Sequence, residues 1–141
     1  MNNNIPVIIT NDQQNFPDPC LALKDPDGLL AIGGRLSSKI LTKAYKAGIF
    51  PWFNEGDPLL WWSPSTRTLL HPKNFKLQRS LKQSLKKNII ITVDCQFEAV
   101  INKCSQLREN KDGTWITKQM LEAYIELHNL GICHSIEVWH Q

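Results

Sequence analysis

Two tryptophan-bearing segments carry most of the chemistry that residue types alone suggest. Phe50-Pro51-Trp52-Phe53 follows one helical pattern, and Gly113-Thr114-Trp115-Ile116-Thr117 precedes another. Indoles on loops beside helices are placed to sandwich a flat ring, and each base stacked on an aromatic contributes about 1–3 kcal/mol. Charge is the second signal. No Asp or Glu lies between Asp57 and Asp94, whereas Arg67, Lys73, Lys76, Arg79, Lys82, Lys86 and Lys87 all fall in that window. A cation set against a phosphate releases a condensed counterion, so a polyanion would turn this self-repelling run into a binding surface. Taken together, the indoles and cations suggest a single-stranded nucleic acid end, rings between tryptophans and phosphates over lysines. Two plainer readings stay open here: the tryptophans as core residues at a subdomain junction, and the lysines as a solvated face.

Other chemistries lack their signatures. No G-x-S-x-G elbow places a nucleophile on a strained turn, and no Ser-His-Asp or Cys-His set is marked by spacing. Cys20, Cys95, Cys104 and Cys133 are far apart, as are His71, His128, His134 and His140, so reduced thiols are expected and neither a metal nor a cofactor. Gly33-Gly34 has neither the GK[ST] ending of a P-loop nor the G-x-G-x-x-G spacing, and marks a turn.

The elements that must position these groups follow from pattern. Asn11 to Asp27 is polar and proline-punctuated, a turn-rich lead-in to the apolar Gly28–Gly34 segment. Ser37 is an N-cap for a helix with Ile40, Leu41, Ala44 and Tyr45 on one face and Gly48 as its stop. Leu59 to Ser63 and Arg67 to His71 suggest two strands around Pro64. Leu77, Leu81 and Leu85 imply a helix over Leu77 to Lys87 with its leucines in a core. Ile89 to Val93 reads as a buried-type strand. Asp94 is expected to cap a helix with Phe97, Val100, Ile101, Cys104 and Leu107 inward. Thr117 caps another with Met120, Leu121, Tyr124 and Ile125 inward and Gly131 at its end. His134 to Trp139 is a last strand in need of a neighbour.

This order implies an α+β or mixed α/β fold. The 141 residues, 42% apolar and 21% charged with net charge +3, suit one core or one core plus a small subdomain. No apolar run is long enough to span a membrane, and Met1-Asn2-Asn3-Asn4 lacks the flank of a secretory signal, so a cytoplasmic protein is expected.

Several strings together resemble the leucyl/phenylalanyl-tRNA–protein transferase family. They are Pro26-Asp27-Gly28-Leu29-Leu30-Ala31-Ile32-Gly33-Gly34, Ala44-Tyr45, Gly48-Ile49-Phe50-Pro51-Trp52-Phe53 and Leu60-Trp61-Trp62-Ser63-Pro64, then Asp112 to Thr117, Glu122 to His128 and His134 to Trp139. The resemblance implies a small N-terminal α/β domain (residues 1–64) followed by the first part of a GNAT, acetyltransferase-like domain (65–141). It implies a monomeric cytoplasmic enzyme, needing no cofactor, that moves Leu, Phe or Met from aminoacyl-tRNA to an N-terminal Lys or Arg of a protein, marking it for N-end rule degradation. Trp52 and Trp115 match aromatics that hold the terminal adenosine, Tyr45 and Tyr124 match tyrosines of the same region, and Arg79, Lys82, Lys86 and Lys87 fall on a basic helix that meets the tRNA body. The family continues past this chain, so the catalytic residues are expected beyond Gln141 and the chain is expected to be a truncated member. An inactive tRNA-binding fragment is the alternative. An acyl-CoA transferase would need a pyrophosphate-binding loop, and no glycine-rich loop precedes either helix after residue 94.

Overall fold

The computed structural model describes residues 5–10, 15–87, 89–109 and 114–140, with side chains described for all of these except 107–109 and 140. The Asn run at the start, residues 11–14 of the lead-in, the Leu107 side chain and Asp112-Gly113 lie outside what is described.

The first layer is a four-stranded sheet with order β1-β2-β4-β3, built from β1 (Val7–Ile9), β2 (Leu29–Gly33), β3 (Phe50–Pro51) and β4 (Leu60–Trp62). β1 runs parallel to β2, and the other pairs are antiparallel. Opposite β4, Leu29 pairs with Trp62 and Ala31 with Trp61, so Leu30 is an extra residue in the ladder. Such a bulge breaks the alternation of faces, and both Leu30 and Ala31 are buried. Trp61 has no solvent-exposed surface, its ring edge meets Phe16 at a centroid distance of 4.7 Å, and its indole N–H donates to the Gly33 carbonyl at 2.9 Å. Gly33 and Gly34 both have positive φ, as expected of a turn.

α1 (Ser38–Lys46) starts and stops where its sequence dictates. The Ser37 hydroxyl accepts from the Ile40 amide at 3.3 Å, and Ile40, Leu41 and Ala44 are buried while Tyr45 stays near the rim. At its end Gly48 takes φ +72°, its amide donates to Tyr45, and the Ile49 amide donates to Ala44. That pair of bonds is a Schellman cap; it turns the chain sharply, so Phe50-Pro51-Trp52 leaves the helix directly as strand β3.

The second half contains α2 (Arg79–Ser84), β5 (Ile89–Val93), α3 (Phe97–Glu109), α4 (Lys118–Asn129) and β6 (Ile136–His140). β6 finds its neighbour upstream, pairing antiparallel with β5 from Ile89↔His140 to Val93↔Ile136. Thr117 caps α4 through the Met120 amide at 3.3 Å, and Gly131 ends it with the same two-bond cap as α1. The buried face of α4 is Met120, Ala123 and Leu127, flanked by Tyr124. Ala123 and Leu127 join Ile40, Leu41, Ala44, Ile49 and Trp61 in one apolar cluster, so α4 closes over the first layer. The architecture is mixed α+β with two small sheets.

Several expectations are corrected. Arg67 to His71 is no strand, because β4 is already paired on both edges by β2 and β3. α2 is only six residues long, and Leu77, Leu81 and Leu85 are exposed, because no described element covers their stripe. The β5 strand exists but is not buried, since Ile90, Ile91 and Val93 meet solvent. Asp94 is not the cap of α3: with φ +58° its carboxylate instead accepts from the Ser135 amide at 2.8 Å and meets His134 Nδ1 at 2.7 Å. Near the start of α3, the Gln96 amide donates to Glu137 at 3.2 Å. α3 itself forms as expected with Phe97 buried, while Cys104 is exposed. Leu121 and Ile125, expected inward on α4, are only partly covered, since the burying face is rotated toward Ala123 and Leu127.

Candidate functional site

A cavity of about 410 Å³ lies where the Schellman turn of α1 meets the loop before α4, and it is walled by Tyr45, Gly48, Ile49, Phe50, Pro51, Trp52, Arg67 and Trp115. Its size falls in the range of small-ligand sites, roughly 300–1,000 Å³. Two wall residues are indoles from segments more than sixty positions apart.

Each indole is held by its own scaffold. Along the chain leaving β3, Pro51 and Phe53 point inward and Trp52 outward, leaving Trp52 52% exposed. The Trp62 indole N–H donates to the Trp52 carbonyl at 2.7 Å and its ring lies 5.6 Å from the Trp52 ring, so the backbone under Trp52 is fixed while its side chain stays partly exposed. Trp115 sits on a loop pinned at three points: Ser105 Oγ of α3 donates to the Ile116 carbonyl at 3.0 Å, the Ile116 amide donates to Thr114 Oγ1 at 3.1 Å, and Thr117 caps α4.

Tyr45 lines the cavity, and Tyr124 reaches it only through Tyr45, with the two hydroxyls in hydrogen-bond contact and the rings edge-on at 6.3 Å. Nearly half of the Tyr45 surface meets solvent, yet crowding around its hydroxyl pushes the phenol above its ordinary value. Burial, with the Tyr45 contact adding to it, pushes Tyr124 still further up. Both phenols therefore keep their protons at neutral pH and can donate hydrogen bonds; neither is a base. Among the described residues, no carboxylate or imidazole lines the cavity.

Arg67 is the site residue that sequence pattern left unassigned within the cationic window. Its Nη2 donates to the Gly48 carbonyl and faces Ser63 Oγ at 3.4 Å, and its guanidinium lies 5.5 Å over the Phe50 ring. Its position two residues past a turn that packs beside Gly28 was the available signal, but only the fold shows which way the chain runs from there. The other cations sit apart. Arg79 and Lys82 are on α2 and Lys86 and Lys87 just after it, all exposed; none lines the cavity, and none is ion-paired among the described residues. Of the four aromatic candidates, then, the structure brings Tyr45, Trp52 and Trp115 around one space with Tyr124 behind them, and leaves the basic segment as a separate surface. Among the described residues, no group of three His, Cys, Asp or Glu is arranged to hold a metal, and no helix is long and apolar enough to cross a membrane.

The family model described as leucyl/phenylalanyl-tRNA protein transferase matches residues 69–141, and the model of that enzyme's N-terminal domain matches residues 34–65. The chain belongs to the leucyl/phenylalanyl-tRNA–protein transferase family. Its similarity to individual members is high. It is 47% identical over 130 residues to the leucyl/phenylalanyl-tRNA–protein transferase of Methylococcus capsulatus, covering 92% of this chain and 55% of that protein. It is 50% identical over 134 residues to that of Shewanella woodyi (94% and 57%), and 53% identical over 125 residues to that of Saccharophagus degradans (88% and 51%). The chain thus spans about half the length of the transferases it matches. Of the residues around the cavity, Tyr45 to Trp52 fall in one family model and Trp115 in the other, while Arg67 falls in the short gap between them.

Proposed function

We propose that the cavity takes the 3′-terminal adenosine of an aminoacyl-tRNA between Trp52 and Trp115, with Tyr45 and Tyr124 donating hydrogen bonds at its rim. The observation that carries this reading is the pair of indoles on one small-ligand-sized space. Arg79, Lys82, Lys86 and Lys87 meet the phosphates of the tRNA body, which orients the molecule without reading its sequence and so admits unlike tRNAs. In a protein of the relatives' length the reaction is aminolysis of the aminoacyl ester by the N-terminal amine of a protein beginning with Lys or Arg, delivering Leu, Phe or Met. The tagged product enters N-end rule degradation in the cytoplasm. Residues 1–64 act as an N-terminal domain and 65–141 as the start of a GNAT-like domain, in a monomer. The boundary is supported by the two family models lying on either side of residues 66–68.

Aminolysis of an ester is downhill, so no covalent enzyme intermediate is required. Holding ester and amine in line can supply up to roughly 7–11 kcal/mol. The developing oxyanion needs donors, a role open to the protonated phenols, and the amine must lose a proton. The cavity walls hold no group that would accept it at neutral pH, which favours a second reading: the described residues perform the binding part of the reaction, and the proton acceptor belongs to the remainder of the family's length.

The test is binding of a non-hydrolysable 3′-aminoacylamino-adenosine. Trp52→Ala and Trp115→Ala should each weaken it by roughly 5- to 150-fold, in line with about 1–3 kcal/mol per lost stack. Unchanged affinity in both would remove the clamp. Transfer of labelled leucine from its tRNA to an Arg-initiated protein, run on this chain and on one of the relatives' length, separates binding from catalysis.

A further inference from the structure

We propose that Arg67 binds the phosphodiester on the 5′ side of the terminal nucleoside and so sets which way round that nucleoside enters the cavity. The inference rests on the adenosine reading above. Among the described residues, Arg67 is the one charged residue of the cavity walls, and no carboxylate pairs with it. A guanidinium without a carboxylate, at the rim of an aromatic cavity, is a site for an oxyanion.

Its orientation is already set. Nη2 donates to the Gly48 carbonyl, Ser63 Oγ lies 3.4 Å away, and the Phe50 ring lies beneath the guanidinium at 5.5 Å. Those contacts engage Nη2 of a planar group that carries five N–H donors, leaving the Nε and Nη1 hydrogens to donate to phosphate oxygens. Nη1 lies 3.8 Å from where a side chain on Gly48, itself a wall residue, would begin. A rotamer fixed in advance loses little entropy when the ligand arrives. A nucleoside held between two indoles is neutral, and the nearest negative charge on a tRNA terminus is the phosphate one ribose away from the base. The amino acid leaves the ribose from its other side, at the 3′ end. A cation on one edge of the clamp therefore distinguishes the two ends of the ligand, which stacking alone does not.

Two probes test this on the 141-residue chain: a non-hydrolysable 3′-aminoacylamino-adenosine with a free 5′-hydroxyl, and the same compound bearing a 5′-phosphate, titrated calorimetrically at low and moderate salt. The native chain should bind the phosphorylated probe about tenfold or more tightly, with the difference shrinking as salt rises. Arg67→Ala should bring the two affinities together while the unphosphorylated probe still binds, and Arg67→Lys should keep part of the difference, since it retains charge but not the fork. Thermal melts establish that both variants are folded; should the alanine variant unfold, the lysine variant and the salt dependence of the native chain decide alone. Equal affinity of the native chain for both probes, or a phosphate advantage that survives loss of the guanidinium, overturns the assignment of Arg67 and leaves the clamp standing. Failure of the native chain to bind either probe overturns the clamp itself and Arg67's role with it.

Discussion

Replacing Gly28 by alanine should destabilise the chain far more than the same change at Gly56, and the difference has a single physical origin. Both glycines have positive φ, +93° and +85°, so both substitutions carry backbone strain on the order of 1–3 kcal/mol. Space separates them. A Cβ on Gly56 meets nothing within 4 Å, whereas one on Gly28 would stand 2.6 Å from both Cα and N of Pro64 and 3.0 Å from the Ser63 carbonyl carbon. Those are backbone atoms at the end of β4, and the Ser63 amide donates to the Gly28 carbonyl at 2.7 Å, so the clash is relieved only by parting the two chains and losing that bond. With roughly 1 kcal/mol or more for the bond and a similar amount for the displaced packing, Gly28→Ala should cost about 3–5 kcal/mol against about 1–3 for Gly56→Ala. In urea, with a slope of about 1–3 kcal/mol/M, the extra loss lowers the midpoint by about 1–2 M. The buried Trp61, one strand residue from this contact, gives the fluorescence signal. Midpoints that fall equally for the two variants would refute the close-approach argument. Because Ser63 also stands beside Arg67, Gly28→Ala should disturb the cavity rim as well.

Two further outcomes follow from the charges. Hydrogen bonds from the Ser135 and Thr92 hydroxyls, each at 2.5 Å, hold the Glu137 carboxyl below its ordinary 4.5, and the Gln96 amide assists. A lowered carboxyl stabilises the fold above its unfolded value and loses that contribution as pH falls from about 4.5 through the folded value. Acid unfolding of the native chain should thus be steeper below pH 4.5 than that of Glu137→Gln, and parallel acid limbs would count against it. On the basic segment, Lys82→Ala with Lys86→Ala should weaken tRNA binding evenly across tRNA species. It should also lower the slope of log affinity against log salt by about one per charge, whereas a slope unchanged by both would place the RNA elsewhere.

What was readable in the chain is what short-range rules decide. Ser37 and Thr117, each with an apolar face following at helical spacing and a glycine at the far end, mark α1 and α4 because a cap, a stripe and a stop all lie within a dozen residues. The pairing of distant aromatics was readable only as composition: nothing local says that Trp52 and Trp115 share one space. The failures have the same origin. The Leu77-Leu81-Leu85 stripe is a genuine helical pattern, but burial requires a partner surface, and a period cannot report whether one is present. Asp94 has the residue type of a cap, yet a left-handed backbone aims its carboxylate at Ser135 and His134, forty positions away. Arg67 to His71 follows a turn as the second strand of a hairpin would, though both edges of β4 were already taken.

The touching hydroxyls of Tyr45 and Tyr124 join positions 79 residues apart, one on α1 and one on α4. They lie beside a seam in which Ala44 of the first helix and Ala123 and Leu127 of the second belong to one apolar cluster. The cavity beside them is consequently owned by neither half of the chain, with Tyr45 and Trp52 from one and Trp115 from the other. On the adenosine reading proposed above, slippage between the helices would loosen the grip on a flat ring and so tie binding to how faithfully the two halves are seated.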